Sequence, residues 1–265
     1  MPRSAAATPA VDRALWDIVD AGLEAIGVEL DAGARSAIES QVRLLLAWNE
    51  HVNLSGLRSV EQIARGHVLD SLIAVPFLRR LAGERPTLLD LGSGAGYPGL
   101  PLAVALPASR AALVDSIAKK AAFLAVVAEE AASVDGGTSA EVVALAERAE
   151  DLADDPEHRE TWDLVTARAV GSVAEVAETG LPLTKRGGHV AIWKFADARG
   201  DLGAELDAAE RISGACGGGR PRVIHLPVAE GVGLPGHCLV LIDKRRPTPE
   251  RFPRQPGERR RRPLP

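Results

Sequence analysis

The stretch Leu88-Leu89-Asp90-Leu91-Gly92-Ser93-Gly94-Ala95-Gly96-Tyr97-Pro98-Gly99 is the segment best suited to chemistry. An apolar run enters three glycines at alternate positions, Gly92, Gly94 and Gly96. Lacking a Cβ, they let the backbone turn sharply and approach a ligand just before a helix begins. Such a loop holds a nucleoside, but the spacing does not say which, because Gly94 to Gly99 also satisfies the dinucleotide fingerprint. The next apolar run, Ala111 to Val114, ends in Asp115, roughly 20 residues past the glycines, where a carboxylate accepts hydrogen bonds from ribose hydroxyls. Capping the helix that begins near Ala118 is a second role open to the same acid. After a third run comes Glu147-Arg148-Ala149-Glu150. The Ala149 amide and the Glu150 carboxylate suit the ring edge and amine of adenine, and a solvated acidic turn beside Asp151 fits the composition equally.

The fourth run ends in Thr166-Ala167-Arg168-Ala169-Val170. It carries no Asn/Asp-Pro-Pro-aromatic quartet of the kind that embraces an exocyclic amine, and the neighbouring loops offer no cysteine suited to attack a pyrimidine ring. An acceptor served by these residues must already be nucleophilic. Guanine N7 fits, since its lone pair is free at neutral pH and no base has to act first. The planar fork of Arg168 suits a phosphate or a guanine edge; a structural salt bridge is its alternative.

These residues need a frame. From Pro86 onward short apolar runs alternate with helical stretches, which predicts a parallel sheet with crossover connections. Strands are expected near 87–91, 111–115, 140–145, 162–167, 189–193, 222–226 and 238–242, with helices at about 99–106, 118–133, 172–184 and 201–213 and a shorter piece after Glu150. A Gly- and Pro-containing loop from Pro227 to Gly236 replaces a helix between the last two strands, so the final strand should enter antiparallel. The expected class is α/β: a Rossmann-like, seven-stranded, mostly parallel sheet of the methyltransferase arrangement with an antiparallel last strand, in contrast to the all-parallel dinucleotide fold. Residues 11–82 read as helical, with Asp31 as an N-cap and Ser59-Val60-Glu61-Gln62 as a capping box. The expected organisation is a disordered 1–10, a helical cap at 11–82, a catalytic domain at 83–243 and a disordered tail at 244–265.

The chain has 265 residues, 46% of them hydrophobic and 25% charged, enough for one substantial core with appendages. Cys216 and Cys238 stand apart from any second thiol, so no disulfide framework or zinc site is expected. The N-terminal residues lack the apolar run of a signal peptide, and no stretch is apolar enough to span a bilayer, so a cytoplasmic location is expected. The net charge of −5 hides an asymmetry. From Lys244 onward, basic residues face only Glu250 and Glu258, and the body before them is strongly acidic. An acidic body repels nucleic acid. Arg251, Arg254 and Arg259 to Arg262 are candidates for holding RNA phosphates, the alternative being a merely solubilising end.

Taken together, Trp48-Asn49, Asn53-Leu54-Ser55, Arg65-Gly66-His67-Val68-Leu69-Asp70-Ser71, the Asp90 to Gly99 loop, Val114-Asp115-Ser116 with Lys119-Lys120, Arg148-Ala149-Glu150 and Arg168-Ala169 resemble the RsmG (GidB) family over about residues 40–243. Each piece is common; the set is specific. The resemblance implies a methyltransferase domain behind an N-terminal helical segment, S-adenosylmethionine as donor and N7 of a guanine in small-subunit (16S) ribosomal RNA as acceptor. It places cofactor contacts on Gly92, Tyr97, Asp115, Ala149, Glu150 and Arg168, and puts Asn53, His67, Asp70, Ser71 and Lys194 near the acceptor. Three positions depart from the pattern: Ser55 stands where threonine is usual, Tyr97 where phenylalanine or leucine is common, and Phe195 where glycine typically follows the lysine. A hydrogen bond between His67 and Asp70 within one helical turn, and a solvated Lys194, are the plainer readings of those residues.

Two other functions use the same residues. A nicotinamide-dependent oxidoreductase would use the glycines and Asp115, but its short-chain form needs a catalytic tyrosine, and the single tyrosine, Tyr97, is inside the glycine loop. A non-catalytic RNA-binding or assembly factor would keep the fold and lose the cofactor. With an acidic body and a small cap, an assembled small ribosomal subunit is expected to be preferred over free RNA, and the protein is expected to act as a monomer.

Overall fold

The computed structural model describes residues 1–11, 13–83, 85–106, 108–133, 140–196 and 202–261. The helical segment comprises α1 (Ala14–Ile26), α2 (Ala32–Asn49), α3 (Val60–Ile63), a π-helical turn (Ala64–Leu69), α4 (Asp70–Leu72) and α5 (Val75–Ala82). Its predicted signals operate: the Asp31 carboxylate accepts from Ala34 N–H, and Ser59 and Gln62 form a reciprocal capping box. Gly27, at φ +65°, closes α1 in the left-handed conformation.

Then β1 (Thr87–Leu91), α6 (Gly99–Ala105), β2 (Arg110–Val114), α7 (Ala118–Ser133), β3 (Glu141–Leu145), α8 (Ala149–Asp154), β4 (Trp162–Arg168), α9 (Val173–Gly180), β5 (Thr184–Phe195), α10 (Gly203–Ala215), β6 (Arg222–His225), α11 (Val228–Gly231) and β7 (His237–Asp243) follow. The seven strands lie in the order β3-β2-β1-β4-β5-β7-β6. The first five are parallel, and β7 runs antiparallel between β5 and β6, as the loop composition predicted. Strand order reverses beside β1, so the carboxyl ends of β1, β2 and β4 open a crevice there.

Some boundaries differ. The helix expected over 172–184 stops at Gly180, because Leu181 to Leu183 turn directly into a β5 that starts at Thr184. The loop from Pro227 to Gly236 contains the short helix α11. Asp201, the expected start of another helix, lies outside the described residues.

Two apolar layers cover the sheet. One joins α1, α2, α6 and α7 to inward residues such as Leu88, Leu113 and Leu241; the other packs α8, α9 and α10 on Leu89, Val165 and Ile242. The helical segment therefore shares a continuous core with the sheet. Its α2 reaches the glycine loop directly, where Gln41 Nε2 donates to Ala95 O at 2.9 Å.

Both expected disordered ends are corrected over their described parts. Near the N-terminus, Ala5 is buried in a 3-10 turn, Trp48 Nε1 donates to Pro2 O (2.9 Å) and Arg43 donates to Thr8 O (2.7 Å). After β7, Lys244 is buried against Glu160 (2.7 Å), Phe252 is buried, Arg254 forks onto Glu178, and α12 (Pro256–Arg261) follows. Composition suggested disorder because this segment has few apolar residues. In the structure Phe252 joins the apolar layer of α8, α9 and α10, and Arg254 and Arg259 pair with the buried Glu178 and Glu150. Arg262 lies outside the described residues.

Candidate active site

The glycine loop is built by backbone. Gly92, Gly94 and Gly96 have φ of +62°, +61° and +83°, where an L side chain is strained, and a Cβ on Gly92 would come 2.7 Å from Val170 Cγ2. Asp90 ties the loop's ends together. Its Oδ2 accepts from Ser93 Oγ (2.5 Å) and Gly99 N–H (3.0 Å), and its Oδ1 accepts from Thr166 Oγ1 (2.7 Å). Burial pushes this carboxyl up to about 6, with those three donors pulling the other way. Asp90 escapes motif reading, although an acid within an apolar strand marks it.

Asp115 is buried at the end of β2. Its Oδ2 accepts from Gly94 N–H (3.1 Å), its Oδ1 accepts from Ile117 N–H (2.9 Å), and Lys120 Nζ lies 3.7 Å away. It thus links the glycine loop to the turn before α7, the helix-entry role, while bordering the crevice. That crevice is lined by Leu91, Gly92, Asp115, Ser116, Ala149 and Glu150 among others. Glu150 is buried rather than solvated, and Arg259 from α12 is hydrogen-bonded to its carboxylate.

A second cluster is assembled from side chains. Arg168 Nη1 donates to Asp70 Oδ2 (2.7 Å) and Gly66 O (2.9 Å), and its Nη2 donates to His67 Nδ1 (2.7 Å). Nδ1 also lies 3.1 Å from Gly66 O, but a guanidinium has only donors and its contact is the shorter, so in the tautomer that fits Arg168 Nδ1 accepts and the ring proton sits on Nε2. From there it is donated to Ser55 Oγ at 2.7 Å. Burial first, then the neighbouring guanidinium, lowers His67 to about 4, leaving it neutral at physiological pH. The imidazole stacks on Tyr97 with centroids 4.6 Å apart, and Arg168 lies 5.7 Å from the same ring. The Tyr97 hydroxyl is buried with no hydrogen-bond partner among the described residues.

The π-helical turn makes this arrangement possible. Asp70 N–H reaches back five residues to Arg65 O, and the widened turn leaves Gly66 O to accept from Arg168. Asp70 Oδ1 accepts from His237 Nδ1 (2.7 Å), and its backbone carbonyl accepts from Trp193 Nε1 (2.8 Å). His67 and Asp70 are thus joined through Arg168. Ala169, at φ +56°, turns the chain sharply after Arg168, a strained conformation of the sort that collects at functional sites.

The structure brings Gly92, Asp115, Ala149 and Glu150 to the crevice, and Tyr97, His67, Asp70 and Arg168 into the cluster. Gly94 and Gly96 shape the loop behind them. Ser71 lies under the cluster, with its Oγ donating to His67 O (2.7 Å). Asn53 is exposed and accepts from Arg58 (3.0 Å), while Asn49 pins the Asn53–Leu57 loop. Lys194 pairs with Glu205 (2.6 Å) and donates to Gly171 O (3.2 Å), outside the cluster, so its solvated reading does not hold. Exposed Phe195 packs edge-on against His237 at 5.7 Å. His237 escaped sequence reasoning because its partner Asp70 is 167 positions away and no local motif marks it.

The family pattern described as GidB, rRNA small subunit methyltransferase G, matches residues 35–213. The "Ribosomal RNA small subunit methyltransferase G" of Deinococcus radiodurans is 42% identical over 218 residues, covering 81% of this chain and 79% of its own length. The protein of the same name from Roseiflexus sp. is 40% identical over 222 residues, covering 83% of this chain and 87% of its own. A solved structure of a 16S rRNA (adenine(1408)-N(1))-methyltransferase from Catenulisporales acidiphilia is a distant likeness, with a TM-score of 0.45, 13% identity, and coverage of 66% of this chain and 93% of that one. With the family pattern spanning most of the chain and relatives matching along it, this chain belongs to the rRNA small subunit methyltransferase G (GidB) family.

Proposed function

We propose that the crevice binds S-adenosylmethionine and that the neighbouring cluster faces N7 of a guanine in 16S ribosomal RNA. Membership of a methyltransferase family removes the oxidoreductase reading that the glycine spacing left open. The residues fit the donor. Gly92 allows backbone approach, Asp115 offers carboxylate oxygens to ribose hydroxyls, and Ala149 with Glu150 offers an amide and an acid to the adenine edge. When bound, the donor supplies an electrophilic methyl group on its sulfonium.

The observation that carries the acceptor assignment is the state of His67. Its Nδ1 lone pair is taken by Arg168 and its Nε2 proton is given to Ser55, so it is not poised as a base. An acceptor here must arrive with a free lone pair, as guanine N7 does. Catalysis then rests on holding the reacting atoms close and aligned. Arg168 is spent on Asp70, Gly66 O and His67; its role is to position the cluster rather than to grip phosphate. Asn53, at the exposed rim of the Ser55 loop, and Lys194, beside Gly171, remain as outlying contacts for RNA. Given the acidic body, the assembled small subunit is the preferred substrate.

Labelled methyl transfer to small subunits and to naked 16S RNA, followed by nucleoside digestion, tests this. N7-methylguanosine, formed faster on subunits, is expected. Label on another atom would refute the acceptor; equal rates on both substrates would refute the subunit preference.

A further inference from the structure

The C-terminal segment was expected to be a free cationic arm. Instead it runs as a strap across the face carrying α8 and α9. Lys244 is fixed on Glu160 (2.7 Å), Arg159 gathers the carbonyls of Phe252 (3.1 Å) and Thr248 (3.2 Å), and Arg254 grips Glu178, itself 3% exposed, by two bonds of 2.7 Å. These anchors fix where the strap ends. Arg259 Nη1 then donates to Arg254 O (3.0 Å), which aims the rest of its guanidinium at Glu150 Oε1, and Arg259 becomes part of the crevice wall with Asp115 and Glu150.

A carboxylate as buried as Glu150 needs a cationic or donor partner. Arg259 supplies it through Oε1, which leaves Oε2 to accept from a donor in the crevice. We propose that Arg259 is a positioning residue of the donor site: from outside the sheet it holds the Glu150 carboxylate oriented so that Glu150 accepts hydrogen bonds from the nucleoside. The strap is then a working part of the pocket, and Arg254 and Arg259 are committed internally rather than to RNA phosphate. This inference rests on the donor reading given above.

The test titrates S-adenosylhomocysteine into the full-length protein by calorimetry, comparing wild type, Arg259→Ala, Arg259→Lys, Glu150→Gln and the Arg259→Ala/Glu150→Gln double variant, each checked by thermal melting. Arg259→Ala is expected to weaken binding about tenfold, with Arg259→Lys recovering part of the loss. Glu150→Gln should weaken it similarly, and the double variant should be no worse than Glu150→Gln alone. That non-additivity separates positioning from a general loss of stability, which would lower the melting temperature and leave the binding of the folded protein intact. Unchanged affinity in Arg259→Ala, or additive losses, would overturn the proposal. Tighter binding in Arg259→Ala would overturn it too, since Arg259 would then be a competitor for Glu150. Wild type that fails to bind would instead defeat the donor reading itself.

Discussion

The two halves of the site are made differently. The crevice side, from Gly92 to Asp115, is set by backbone: left-handed glycines, amides held by Asp90 and Asp115, and a loop between adjacent parallel strands. The other side, around Arg168, is set by side chains from four separate places, Ser55, the π-helical turn, the end of β4 and the start of β7. A backbone site tolerates change around it and fails when a Cβ is added. A side-chain cluster fails when one charge is removed.

The largest effect should come from breaking the cluster. Arg168→Ala leaves buried Asp70 without its guanidinium and His67 without its donor, and is expected to destabilise by about 3 kcal/mol, the scale for breaking a buried pair. Denaturant melts and methyl-transfer rates would show it, the rate falling at least a hundredfold. Arg168→Lys should restore only part, since an ammonium cannot serve Asp70, Gly66 O and His67 in the same fixed plane. Full recovery by lysine would mean that charge alone matters there.

The two sides also carry opposed titrations. Asp90 is raised to about 6, so the folded state binds its proton more tightly than the unfolded chain, and its contribution to stability is lost as pH rises from about 4 to about 6. His67 is lowered to about 4, so its contribution is lost as pH falls from about 6.5 to about 4. Each shift corresponds to about 3 kcal/mol, and the slopes oppose one another in wild type. Asp90→Asn should therefore become less stable on acidification and His67→Gln more stable over the same window, as read from melting temperatures between pH 4 and 7. Parallel behaviour of the two variants would undo this assignment.

On the backbone side, Gly92→Ala places a Cβ at φ +62° against Val170 and should cost about 1–2 kcal/mol, together with at least tenfold in S-adenosylhomocysteine affinity. Asp115→Ala should weaken that affinity about tenfold, or about 1.4 kcal/mol. The smallest effect is expected at Asn53, which is exposed and paired only with Arg58 among the described residues. Asn53→Ala should change stability by less than about 0.5 kcal/mol.

The same contrast explains what could be read from the sequence. The glycine loop, Asp115, the strand rhythm and both helix caps are local signals carried by neighbouring residues, and they emerge where expected. Arg168 and its salt-bridge reading come from the end of the fourth run, and His67 and Asp70 from the resemblance, but the wiring is in neither: His237 and the route from His67 through Arg168 to Asp70 depend on how β7 and the π-helical turn meet in space. The fold of the strap is not legible in its composition, because a Pro- and Arg-rich segment reports missing apolar surface but says nothing of the buried Glu178 and Glu150 that its arginines meet.

The most direct measurement of the central claim is a pair of calorimetric titrations on the wild-type protein, one with S-adenosylhomocysteine and one with NAD. The account predicts one-to-one binding of S-adenosylhomocysteine and no heat with NAD. Binding of NAD in its place, or no binding of S-adenosylhomocysteine, would contradict it.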